Sequence, residues 1–135
     1  MENEALIAVN NAKRWYKTAM DAYDDGNYDT CVYSLEMALE IGLKSMLLKF
    51  NIEYPKMHDI IPIFKLRTQS LKFSKELDKS LDEMLGTFQL LLKYRNETGY
   101  MFSYKTDMVT LKKVAIDSLP KVGGYLKILE DEARK

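Results

Sequence analysis

The sequence contains a single cysteine, Cys31, and carries no net charge, since 20 acidic residues balance 20 basic ones. One cysteine cannot form an intramolecular disulfide, which fits a reducing, intracellular compartment. A neutral chain has no overall field that favours nucleic acid or an acidic membrane. No apolar run approaches the roughly 20 residues that span a bilayer, and the N-terminus lacks the pattern of a signal peptide. We therefore expect a cytoplasmic protein without a membrane partner.

Histidine is equally scarce, because His58 is the only one. A typical zinc site needs several histidines, cysteines or well-placed carboxylates. The chain also has no nucleophile motif, no glycine-rich phosphate loop and no pair of histidines four residues apart. His58 precedes Asp59 where a loop should turn into a helix, so we expect both residues to be structural. A general base or a metal ligand is the alternative role for His58, but the sequence predicts no metal ion and no cofactor.

Apolar side chains recur at three- and four-residue steps along most of the chain, which is the period of an amphipathic helix. With 47% hydrophobic residues, this predicts one all-α domain over residues 1–135, an up-and-down bundle of about five helices. Ala38 and Gly42 lie four apart in the second helix, so another backbone should approach it closely. Pro120 should kink or break the last helix, with Ser118 as a candidate cap for a restart. The predicted helices cover residues 2–23, 28–49, 60–66 and 75–94, the last of these capped by Ser74 and followed by one that Thr106 or Asp107 caps.

The segment over residues 93–104 interleaves cations with aromatic rings. Arginine can bind phosphate through two parallel hydrogen bonds, and aromatic rings can stack on unpaired bases. The segment therefore predicts a nucleotide- or RNA-binding site. The structural alternative is that the aromatic rings belong to the core and Arg95 pairs with a carboxylate; spacing alone leaves both open. The predicted binding residues are Arg95, Asn96, Tyr100 and Tyr104.

The order of these pieces resembles the HEPN family, the "higher eukaryotes and prokaryotes nucleotide-binding" domain. The resemblance covers most of the chain. In that family, the best-known polar motif is an arginine followed by four to six residues and a histidine, which act together in metal-independent RNA cleavage at a dimer interface. The pieces that carry the resemblance are Trp15-Tyr16, the turn at residues 25–28, the helix with Glu36, Glu40 and Lys44, the triplet His58-Asp59-Ile60, and Arg95-Asn96.

This chain departs from the motif, because no histidine follows Arg95 in the expected window and Tyr100 stands nearest that position. A phenol with a pKa near 10 is a poor general base at neutral pH. The resemblance therefore implies a non-catalytic homodimer that binds nucleotide or RNA, or a nucleotidyltransferase partner in a toxin–antitoxin-like pair. One alternative is a metal-independent ribonuclease toxin that uses Arg95 and a tyrosine, with His58 as a further candidate. The other is a purely structural helical dimerisation module.

Overall fold

A computed structural model of the protein describes residues 3–54, 56–98 and 107–135. Within these ranges all regular structure is helical and no strand is present, which confirms the all-α prediction. The helices form an up-and-down bundle in which α2 contacts each of the other four. They are α1 (Glu4–Asp24), α2 (Tyr28–Lys49), α3 (Ile61–Thr68), α4 (Lys75–Thr98) and α5 (Met108–Arg134).

Local capping signals mark several of the helix ends. The Asn3 side chain caps α1 by accepting from the Leu6 N–H at 3.0 Å. Ser74 and Asp107 cap α4 and α5 as the sequence predicts, with side-chain oxygens that accept from backbone N–H groups three residues on. Gly26 follows α1 with a φ of +76°, a conformation that glycine adopts without a steric penalty. The bounds of α2 agree with the prediction, whereas α4 continues to Thr98 and so includes Arg95.

The centre of the bundle is α2, whose buried side chains lie on most of its circumference. The small residue Gly42 explains how another helix reaches it. A Cβ atom on Gly42 would lie only 2.9 Å from Leu126 Cδ2 and 3.0 Å from Leu129 Cδ1, both in α5. The close approach that the sequence predicts at Gly42 is therefore present, and its partner is α5.

Helix α5 runs without interruption through Pro120, so no new helix begins at Ser118. The Ser118 side chain is buried, and its Oγ has no hydrogen-bond partner among the residues that the structure describes. A proline removes one helical hydrogen bond, but the packing of α5 against α1, α2 and α4 outweighs that loss. Next to the proline, Tyr16 Oη donates a hydrogen bond of 2.7 Å to the Leu119 carbonyl.

Candidate functional site

Polar side chains from three elements meet on one side of α2. Positions 33, 36, 40 and 44 recur at three- and four-residue steps and therefore share one face of that helix. The loop before α3 and the last turns of α4 contribute one side chain each. We call this group the polar cluster; its members are Tyr33, Glu36, Glu40, Lys44, His58 and Arg95.

His58 connects the two helices within the polar cluster. Its Nδ1 lies 2.9 Å from Glu40 Oε1, and its Nε2 lies 3.1 Å from Arg95 Nη2. Because a guanidinium can only donate hydrogen bonds, Nε2 must accept, which leaves the imidazole proton on Nδ1 to be donated to Glu40. These contacts define one tautomer of the imidazole, with Nδ1 as the donor and Nε2 as the acceptor. About half of the His58 side chain (49%) remains exposed.

Arg95 is largely buried, with only 13% of its side chain exposed. Its Nη2 donates to Tyr33 Oη at 3.3 Å, and its guanidinium carbon lies 4.8 Å from the centre of the Tyr33 ring. On its inner side, Arg95 Nε lies 3.4 Å from Glu36 Oε2. That atom and both Glu36 oxygens are buried without a hydrogen-bond partner in the described ranges. Arg95 thus has the carboxyl neighbour that the structural alternative expected, but the two groups meet in poor hydrogen-bond geometry.

The two glutamates of the polar cluster titrate in opposite directions. Burial, together with the adjacent Glu40 carboxylate, raises the pKa of Glu36 to about 9 against the opposing charges of Arg95 and Lys44. Burial also acts to raise the pKa of Glu40, but hydrogen bonds from its polar neighbours outweigh burial and lower it below its usual value. At neutral pH the pair therefore holds one proton and one negative charge. Lys44 and Arg95 carry two positive charges, so the cluster has a cationic excess.

Glu36, Glu40 and His58 also offer ligand atoms within 4.8 Å of one another, as a divalent metal site would require. Two cations already stand at these carboxylates. The Lys44 ammonium lies 2.9 Å from Glu40 Oε2, and Arg95 lies beside Glu36. A metal ion would have to displace these contacts and remove the proton from Glu36. The charges present therefore favour hydrogen bonds and ion pairs over a metal centre.

The structure brings together only part of the predicted site. Arg95 and Asn96 both belong to α4, where Asn96 is exposed. Tyr100 and Tyr104 lie outside the described residues, so their part in binding stays a prediction. Asp59 Oδ1 accepts from the Ile61 N–H at 3.3 Å at the start of α3.

The sequence patterns did not predict which side chains surround Arg95. The sequence did contain a signal for these partners, because Glu36 and Glu40 lie four residues apart on the most apolar of the helices. Two carboxylates on a helix that must be buried need polar or cationic partners. Such partners come from distant parts of the chain, and the spacing within α2 could not identify them.

A comparison of the sequence with protein-family models identifies the family of this chain. The chain matches the model described as HEPN domain over residues 5–130. It therefore belongs to the HEPN family, a family of nucleotide-binding and ribonuclease-type domains, and the resemblance predicted from the sequence is confirmed. No curated protein matches the chain significantly. None of the helices in the described ranges combines the length and hydropathy needed to cross a bilayer.

Proposed function

We propose that this HEPN domain binds the phosphate of a nucleotide or RNA at the polar cluster without cleaving it, and does so as a homodimer or with a nucleotidyltransferase partner. The observation that carries the proposal is the setting of Arg95. Its guanidinium lies on the Tyr33 ring and donates to half-exposed His58, while its carboxyl neighbour is Glu36.

The charge of Arg95 remains available to an anion. Because burial raises the pKa of Glu36 to about 9, that side chain is protonated at neutral pH and does not neutralise Arg95. The ionised carboxylate, Glu40, already contacts Lys44 at 2.9 Å. A phosphate that accepted from Arg95 beside His58 would be a charged acceptor, and charge-assisted hydrogen bonds of this kind are the stronger ones.

Binding without turnover follows from the proton-transfer groups. No histidine follows Arg95 at the spacing of the family motif, and the Nε2 of His58 is occupied as an acceptor for Arg95. A tyrosine does not replace the missing base at neutral pH. Among the described residues, the ligand would therefore meet a cationic site that can hold phosphate but offers no free general base.

Dimerisation is supported by apolar side chains that the described chain leaves exposed on α4 and α5. Leu90 lies on α4, and Val109 and Ile116 lie on α5, which packs against α4. Such side chains gain stability when a partner removes them from water. A nucleotidyltransferase encoded beside this protein would favour binding of that enzyme as the partner. A stable dimer that binds no nucleic acid would instead favour a purely structural dimerisation module.

The test is binding of a fluorescently labelled single-stranded hexaadenylate, followed by anisotropy at several salt concentrations. Arg95→Ala should weaken binding about tenfold and reduce the slope of log K against log salt by about 0.7, as expected for one lost phosphate contact on a single strand. Lys79→Ala is the matched control, because this exposed cation lies sixteen residues earlier on α4, about 24 Å away. Equal losses in both variants, or none in Arg95→Ala, would contradict a phosphate contact at Arg95.

One observation favours a second candidate, the metal-independent ribonuclease. A buried carboxylate, Glu40, orients the half-exposed His58 next to Arg95, and oriented imidazoles are frequent general bases. If a ligand drew Arg95 away, Nε2 could accept a proton from the ribose 2′-hydroxyl. Incubation of RNA with the protein decides between the candidates: cleavage that both His58→Ala and Arg95→Ala abolish would replace the proposal of binding without turnover.

A further inference from the structure

We propose that a pocket on α1 beside Trp15 binds an unpaired nucleobase of the same ligand whose phosphate contacts Arg95. This inference rests on the proposed function and specifies its ligand as a nucleobase on a phosphorylated ribose, in a single strand or a free nucleotide. The pocket is lined by Asn11, Arg14, Trp15 and Thr18 and has a volume of about 320 Å³.

A continuous row of π-faces and cations joins this pocket to the polar cluster. The Trp15 and Tyr33 rings have centroids 6.4 Å apart and are tilted by 55°. The guanidinium carbon of Arg95 lies 4.8 Å from the centre of the Tyr33 ring. Trp15 and Arg95 are therefore at most about 11 Å apart through Tyr33. One nucleotide, or two in an extended strand, can bridge that distance.

The pocket has the chemistry that a nucleobase requires. Trp15 is half-buried against the hydrophobic core, so its ring is held in place while part of it faces the pocket. Stacking on such a ring is the usual way in which proteins hold unpaired bases. Asn11 and Thr18 add an amide and a hydroxyl that can pair with the edge of a base.

Charge around the pocket suits a nucleic acid strand. Between residues 5 and 20 the only charged side chains are the cations Lys13, Arg14 and Lys17. Lys13 pairs with Glu130, and Lys17 pairs with Asp21. Arg14 lines the pocket itself and, within the described ranges, donates one hydrogen bond, to Asn11 Oδ1 at 3.2 Å. A guanidinium has five N–H donors, so Arg14 retains capacity for a phosphate at the rim of the pocket.

A base that stacks on Trp15 must lie outside a duplex, because stacking on the neighbouring base pairs covers both faces of a base within one. The site therefore selects single strands or free nucleotides over duplexes. Stacking tolerates every base, since each has a π-face. We accordingly expect weak sequence preference and a strong preference for single strands.

The experiment uses the intrinsic fluorescence of the protein, because Trp15 is its only tryptophan. The probes are hexaadenylate, an abasic ribose-phosphate hexamer of the same length, a self-complementary RNA duplex, and AMP. Hexaadenylate should quench Trp15 fluorescence, whereas the abasic hexamer and the duplex should not.

Trp15→Leu should weaken hexaadenylate binding at least tenfold, as measured by anisotropy, and leave binding of the abasic hexamer unchanged. Trp15→Phe keeps an aromatic face and should retain most of the affinity, and Arg95→Ala should weaken both hexamers.

The outcomes distinguish failure of the base pocket at Trp15 from failure of phosphate binding at Arg95. If hexaadenylate binding depends on Arg95 but Trp15→Leu and Trp15→Phe bind like the wild type, the base pocket is refuted and phosphate binding at Arg95 stands. If the wild-type protein binds none of the four probes, both proposals fail. Quenching by AMP identifies a free nucleotide as sufficient, whereas quenching by hexaadenylate alone identifies a strand; either result supports the pocket. Melting curves of each variant show whether it is folded, and Trp15→Phe carries the comparison if Trp15→Leu is not.

Discussion

His58 and Arg95 are separated by 37 positions in the sequence, yet His58 Nε2 lies 3.1 Å from Arg95 Nη2. In the family motif that this chain lacks, the histidine follows the arginine after four to six residues. Here the His58 imidazole reaches the arginine from the loop before α3. Its other ring nitrogen, Nδ1, lies 2.9 Å from Glu40 Oε1. The same contact that places a histidine beside Arg95 also occupies the nitrogen that a general base would use.

We predict that His58→Ala lowers the stability of the fold by about 1 kcal/mol, a few degrees in melting temperature, because one hydrogen bond to buried Glu40 is lost. Thermal denaturation followed by circular dichroism measures this. His58→Gln, which can still donate to Glu40, is the control and should lose less. A His58→Ala variant with unchanged melting temperature that no longer binds RNA would show that the role of His58 is functional and not structural.

Stability should depend on pH through Glu36. Its pKa is raised from 4.5 to about 9 by burial, so between these values the folded state binds a proton that the unfolded state has released. The free energy of unfolding should therefore fall as the pH rises from about 5 to 9. Glu40 acts in the opposite direction at acid pH: its pKa is lowered, so the stability it contributes is lost as the pH falls below the usual range of a glutamate.

Urea denaturation at pH 5.5, 7 and 8.5 tests the part played by Glu36. The Glu36→Gln variant mimics the protonated side chain, so it should be about as stable as the wild type at pH 5.5 and relatively more stable at pH 8.5. Glu83→Gln on α4, whose carboxylate is exposed, is the control and should follow the wild-type trend. The interpretation fails if the wild type and Glu36→Gln lose stability in parallel over this range.

Two adjacent glycines in α5 should respond oppositely to alanine. A Cβ at Gly123 would lie 2.6 Å from Tyr16 Oη, so Gly123→Ala must displace the phenol from its bond to the Leu119 carbonyl. We expect a loss of about 1–3 kcal/mol from overpacking. At Gly124 no described atom lies within 4 Å of such a Cβ, so Gly124→Ala should stabilise the helix by up to about 1 kcal/mol.

Urea denaturation of both variants measures this difference, with one further substitution as a check. Tyr16→Phe removes the Oη atom that the new Cβ would meet. The double variant Gly123→Ala with Tyr16→Phe should therefore lose less than the sum of the two single variants. Additive losses would mean that the contact at Gly123 does not decide the effect.

We also predict a homodimer at micromolar concentration, as measured by multi-angle light scattering. Leu90→Lys on α4 and Val109→Lys on α5 should shift the protein toward the monomer mass, since each places a charge on the proposed interface. Leu66→Lys changes an exposed leucine on a different helix, α3, and is the control. A monomer mass for the wild-type protein would rule out the homodimer.

The sequence was sufficient for most of the helices, because their signals are local. The bounds of α2 and the caps Ser74 and Asp107 follow from side chains within a few residues of each helix end. The continuation of α5 through Pro120 did not follow, because it depends on the packing of that helix against three others. The extension of α4 to Thr98 was likewise missed, and with it the helical setting of Arg95.

The sequence by itself determined the helical class and the family, since periodicity, capping and motif order are local features of the chain, and it named Arg95 as a predicted binding residue. What only the tertiary structure decided is the state of the groups around Arg95. Glu36 on an open helix would be ionised at neutral pH, but fully buried among α2, the loop of His58 and α4 it keeps its proton. Burial and long-range contacts set that charge, and no spacing within the sequence contains them.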